Sequence, residues 1–92
     1  MTPKAKREIS SQISQILKEN QFYRLDGKWN TNTLHIGIQP NGLFSPDFSN
    51  EVAETNFRKI IKQIKTISNV KKAKSDDWCS GWKVLSGIKI YV

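Results

Sequence analysis

With 92 residues the chain has room for one two-layer domain and none for a deep cleft between domains, so a large enclosed substrate pocket is not expected. A hydrophobic content of 37% with 25% charged residues is globular composition, and isoleucine and tryptophan dispersed through the chain argue against disorder. The net charge of +7 is local, because residues 58 to 74 hold seven cations and no acid, and such a concentrated field points to a polyanionic partner, either nucleic acid or an acidic protein surface.

Thr2 and Pro3 suit the cap and first turn of a helix. Ala5, Ile9, Ile13, Ile16 and Leu17 then repeat at helical spacing, which predicts a helix over 3–20 with Lys6, Ser10, Ser14 and Lys18 on its solvated side. Residues 22–39 read as a hairpin. In its first strand Tyr23, Leu25 and Trp29 alternate with Phe22, Arg24, Asp26 and Lys28, the first set expected to face inward and the second outward. Asn30-Thr31-Asn32 is preferred as the turn over Asp26-Gly27 because it leaves strands of matching length, and Leu34, Ile36 and Ile38 alternate with His35, Gly37 and Gln39 in the second strand. Residues 40–48 form a loop in which Leu43, Phe44 and Phe48 are expected to tack the crossing to the core rather than to meet a partner.

Residues 49–67 read as the second helix, capped by Ser49 or Asn50. Ala53, Phe57, Ile60, Ile61, Ile64 and Ile67 gather into one apolar stripe, while Arg58, Lys62 and Lys65 lie opposite it and Lys59 on its flank. Glu51 and Glu54 precede the lysines, the order that complements the helix dipole. Residues 70–92 form a second hairpin. In its first strand, Lys71, Lys72 and Lys74 would protect a sheet edge, and in its second, Trp82, Val84, Ser86, Ile88, Ile90 and Val92 point inward and alternate with Lys83, Leu85, Gly87, Lys89 and Tyr91.

The expected fold is therefore α+β, order α-β-β-α-β-β, with a four-stranded antiparallel sheet and both helices on one face, since each helix stripe needs an apolar sheet face to cover it. A ferredoxin-like or double-stranded-RNA-domain-like use of the same elements is the runner-up. The pattern belongs to too many folds to mark a family.

Two surfaces emerge as candidate binding sites. The first is the basic helix and adjoining strand, Arg58, Lys59, Lys62, Lys65, Lys71, Lys72 and Lys74, together with Trp78 on the loop Asp76-Asp77-Trp78-Cys79-Ser80-Gly81. The second is the outer sheet face, expected to display Phe22, Arg24, Lys28, His35, Lys83, Lys89 and Tyr91, where rings could stack on bases while cations hold phosphates. Scattered aromatics and lysines are also ordinary on a half-solvated sheet. His35 and Cys79 sit in different hairpins with no catalytic spacing, no paired metal-ligand spacing occurs, and phosphate-cradling glycine loops are lacking, so neither an enzyme nor a cofactor is expected. A single cysteine excludes an internal disulfide and fits a reducing compartment. With no signal-peptide core and no membrane-length apolar run, a cytoplasmic protein without membrane contact is expected. The leading reading is a non-catalytic nucleic-acid or nucleoprotein-binding module. The rival is an inhibitor or adaptor that docks its basic face and the Trp78 loop on an acidic protein.

Overall fold

The computed structural model describes residues 1–76 and 86–92; Asp77 to Leu85, which include Trp78, Cys79, Trp82 and Lys83, lie outside the described residues. Six elements follow in chain order: α1 (Pro3–Glu19), β1 (Phe22–Asn30), β2 (Thr33–Pro40), α2 (Asn50–Ile64), β3 (Lys72–Asp76) and β4 (Ser86–Tyr91). The four strands form one antiparallel sheet in the order β1-β2-β4-β3, so the second strand of each hairpin is central and the first is an edge. Both helices cover one face. This is the α+β arrangement expected from the periodicities.

Each helix begins where its cap dictates. Thr2 Oγ1 accepts from the Ala5 N–H at 3.1 Å, and Ser49 Oγ accepts from the Val52 N–H at 3.3 Å. Helix α2 stops at Ile64, short of the expected residue 67, because the chain tightens into successive three-residue turns: Thr66 to Gln63, Ile67 to Ile64 and Val70 to Ile67. Ile67 nevertheless stays buried. Asn20 ends α1 and is the buried polar residue of the described core. Its Nδ2 donates to the Ile16 carbonyl and to Gln63 Oε1, both at 2.8 Å, which ties the end of α1 to the end of α2. No helix among the described residues is long and apolar enough to cross a membrane.

The core is an isoleucine-rich layer between helices and sheet. Ile13, Leu17, Leu34, Ile36, Ile38, Ile60, Ile64, Ile88 and Ile90 are all essentially without solvent contact, and burying each contributes roughly 1.5–3 kcal/mol. Phe57 packs half-buried against this cluster. The loop departs from expectation at Phe44, which is 78% exposed rather than tacked to the core, while Leu43 and Phe48 are half-buried.

The inward and outward assignment of β1 also needs correction. Arg24 pairs with Ile38 but Asp26 pairs with Gly37, so Leu25 is an extra residue, a β-bulge that reverses the alternation midway along the strand. Before the bulge Phe22 points inward, buried with its ring 6.3 Å from that of Phe57, and Tyr23 points outward. Arg24 also falls on the inner side, half-buried, its guanidinium lying over Gly27. After the bulge Asp26 and Lys28 point outward and Trp29 packs on the core margin, as the alternation predicted. Phe22 and Arg24 therefore do not belong to the outer face.

Truncating Ile60 or Ile64 to Ala should cost about 2–5 kcal/mol in urea unfolding, a large share of the stability of so small a domain. Val52→Ala, on the same helix but 58% exposed, should change it by about 0.5 kcal/mol or less. Equal losses at all three positions would contradict the packing described.

Candidate nucleic-acid interface

The register of the sheet builds an ordered outer face. Lys28 is paired with His35, His35 with Lys89, and Lys89 with Lys74, so one row crosses all four strands and carries three lysines and a histidine. At about 4.8 Å between strands the row is about 14 Å long. The adjacent row, one pleat nearer the β1–β2 turn, consists of Asn30, Thr33, Tyr91 and Lys72. Between the rows lies a shallow pocket of about 410 Å³ lined by Lys28, Asn30, Thr33, His35, Lys89 and Tyr91. Both described helices are on the opposite face.

Cations held side by side repel, and two devices relieve this. The first is Asp76 at the end of β3, whose Oδ2 lies 3.4 Å from Lys89 Nζ and 3.4 Å from His35 Nε2. With all three side chains about one-third exposed, the ion pair adds at most about 1 kcal/mol, and its effect is to fix direction more than to stabilise. The second is Tyr91, whose ring lies beneath the ammonium groups of Lys72 and Lys74, 5.7 and 5.8 Å from its centroid. These contacts leave Lys28, Lys72 and Lys74 exposed to solvent while holding two of them in place.

Gly87 makes the cluster possible. It is paired with both Gly37 and Asp76, and a Cβ there would collide with the Asp76 carbonyl oxygen and sit 3.2 Å from His35 Nε2. Without a side chain at 87, the imidazole reaches over β4 to a carboxylate two strands away.

The seven-cation run of residues 58 to 74 does not form one surface. Arg58, Lys59, Lys62 and Lys65 are exposed on α2, and their helix packs its Ile60 and Ile64 side against the sheet. Lys72 and Lys74 project from the other side of the sheet, beside outward-facing Tyr91 and Lys89. Exposed Lys71 lies between them, its N–H donating to the Tyr91 carbonyl at 2.7 Å. The run thus turns around the β3 edge, four cations on the helix side and two on the sheet side. Of the second expected set, Lys28, His35, Lys89 and Tyr91 share the outer face; Phe22 and Arg24 are on the inner side, and Trp78 and Lys83 fall outside the described residues. Sequence reasoning missed Tyr23, 43% exposed opposite Gln39, and also Asn30, Thr33 and Asp76. A strand alternation carried unbroken through Leu25 hides Tyr23. Asp76, read as the start of a connection, is the last residue of β3. Among the described residues no group of three or more His, Cys, Asp or Glu is placed to hold a metal ion.

Gly87→Ala should destabilise the protein by roughly 1–3 kcal/mol, because the added carbon meets backbone that cannot yield. Gly27→Ala should be near neutral or stabilising by about 0.5 kcal/mol, since only the end of the flexible Arg24 side chain stands in its way. Thermal unfolding of the two variants checks this, and the reverse order would refute the packing at Gly87.

Compared with protein-family models, curated protein sequences and solved structures, the chain matches none.

Proposed function

We propose that the protein is a non-catalytic nucleic-acid-binding module that lays a single strand along the cationic row of the outer sheet face. The observation that carries the reading is the alignment of Lys28, His35, Lys89 and Lys74 across four strands, on a face without a described helix. Cations at strand spacing suit a phosphate backbone, and the neighbouring Asn30, Thr33 and Tyr91 offer amide and hydroxyl groups to sugars or base edges. Tyr91 carries its lysines over the ring, so its role is to hold them, while exposed Tyr23 at the far end is the ring available for stacking. Among the described residues no helix lies on this face to enter a major groove, which favours single strands over duplex. The α2 cations Arg58, Lys59, Lys62 and Lys65 supply a long-range field that draws a polyanion toward the β3 edge.

The test compares two triple variants against a single-stranded oligonucleotide across a salt series. Replacing Lys28, Lys72 and Lys74 with Gln should leave the fold intact and flatten the slope of log affinity against log salt by about 2. Replacing Arg58, Lys62 and Lys65 with Gln should flatten it by less. A larger change from the helix variant would move the interface off the sheet. Full affinity in both variants would place the interface outside both basic surfaces, and absence of binding by the parent protein would remove nucleic acid from the account. An acidic protein partner, the rival reading, would show its salt dependence mainly in the association rate.

A further inference from the structure

At the end of the sheet away from the β1–β2 turn lies a second cavity, about 290 Å³ in volume, between the start of β1, the end of β2, the 41–49 loop and the first turn of α2. Its apolar wall consists of Phe22, Pro40, Phe48, Val52 and Ala53. Phe44 and Val52, 78% and 58% exposed, are the most exposed large hydrophobic side chains of the described chain, and both belong to this end of the molecule. The loop is held in shape by its own bonds: Asn41 N–H to the Gln21 carbonyl at 2.8 Å, Ser45 N–H to Gly42 at 2.9 Å, Phe48 N–H to Ser45 at 3.1 Å. Gly42 takes the left-handed conformation, φ 70°, that lets the chain turn there.

The charge around this groove is opposite to that of the protein. Between Lys28 and Arg58 the chain contains no lysine or arginine and three carboxylates, Asp47, Glu51 and Glu54. Asp47 lines the groove and Glu51 stands in the adjoining helical turn, while none of the lining residues is cationic. The cationic surfaces of α2 and β3 repel a basic segment while the groove attracts it, so the asymmetry of charge favours its arrival here. The volume is at the lower limit of about 300–1,000 Å³ usual for small-molecule pockets, a fit for one large side chain of a peptide. The exposed Phe44 and Val52 extend the apolar contact along a segment. A symmetric contact with a second copy would place the same acidic patch on both sides of the seam, and like charges there disfavour self-association.

We infer that this groove is a docking site for a basic segment of a partner protein, with one aliphatic or aromatic side chain anchored between Phe48 and Val52 and flanking lysines or arginines facing Asp47 and Glu51. It is separate from the outer sheet face, so one molecule can hold a nucleic acid and a basic protein together.

The experiment is an amide NMR titration of the full chain with short blocked peptides carrying a central Phe flanked by pairs of Lys, Ser or Glu, and a Lys-flanked control with central Ala. The Lys-flanked Phe peptide should shift the amides of Phe48, Val52 and Ala53 and bind about three- to tenfold tighter than the Ser-flanked one, with the Glu-flanked one weakest. The Ala control should leave those amides unmoved. Val52→Lys should reduce affinity by about tenfold or more with an unchanged melting temperature, and the Lys28, Lys72 and Lys74 triple variant should bind the peptide as the parent does. Absence of shifts with every peptide, affinity indifferent to the flanking charge, or shifts confined to other surfaces would overturn the proposal. So would movement of the same amides on dilution of the protein alone, which would make a second copy the occupant.

Discussion

The register between β2 and β4 is the constraint on which the molecule depends. Ile36 is paired with Ile88 and Leu34 with Ile90, and all four side chains are fully buried. Strand side chains alternate with a period of two, so a slip of one residue would expose these four and bury His35, Lys89 and Tyr91. The free-energy difference between the two registers is therefore several apolar burials plus the cost of desolvating the Lys89 ammonium and the polar His35 ring. The hydrophobic effect thereby specifies where the charge goes. His35 and Lys89 are neighbours because the isoleucines beside them must be inside, and the edge strands inherit their orientation from that central pair.

Much of this was legible from periodicity. The two helix stripes, the turn at Asn30 to Asn32 and the inward placement of Ile88 and Ile90 each follow from a pattern that a single physical period explains. Strand β1 was half legible. Its first residues, Phe22 to Arg24, alternate in one phase and Asp26 to Trp29 in the other, and the intervening bulge has no signature in residue type beyond the nearby glycine. An aromatic strand tolerates either phase, since Phe22, Tyr23 and Trp29 are all compatible with burial. Only the pairing with β2 decides which ring is inside. Phe44 was misread for a related reason: an aromatic in a loop is a strong apolar signal with no periodicity to give it a direction.

Contiguity in sequence also misled about contiguity in space. Residues 58 to 74 look like one basic surface, yet a helix packed on a sheet and a strand within that sheet present their solvated sides to opposite halves of the molecule. The cationic row that the fold does assemble takes one residue from each of four strands, from Lys28 to Lys89. Alternation within each strand assigned Lys28, His35 and Lys89 to the outer face, but their alignment in one row with Lys74 follows only from the strand order and register. Asp76 illustrates the same limit, being distant in sequence from His35 and able to approach within 3.4 Å of it because position 87 between them carries no side chain.

The distribution of charge acquires its sense from this geometry. A uniform excess of seven positive charges would attract polyanions from every direction and orient none. Here the carboxylates Asp47, Glu51 and Glu54 are drawn to the start of α2, where the helix dipole stabilises Glu51 in the first turn, and the cations collect at the far end of that helix and on β3. The molecule is consequently polar, with its acidic, apolar groove at the loop end of the sheet and its basic surfaces elsewhere. At physiological ionic strength the Debye length is about 8 Å, whereas the rise of α2 from Glu51 to Lys65 is about 21 Å. Glu51 in the first turn and Lys65 at the far end are therefore largely screened from one another, and the two ends of this helix present fields of opposite sign.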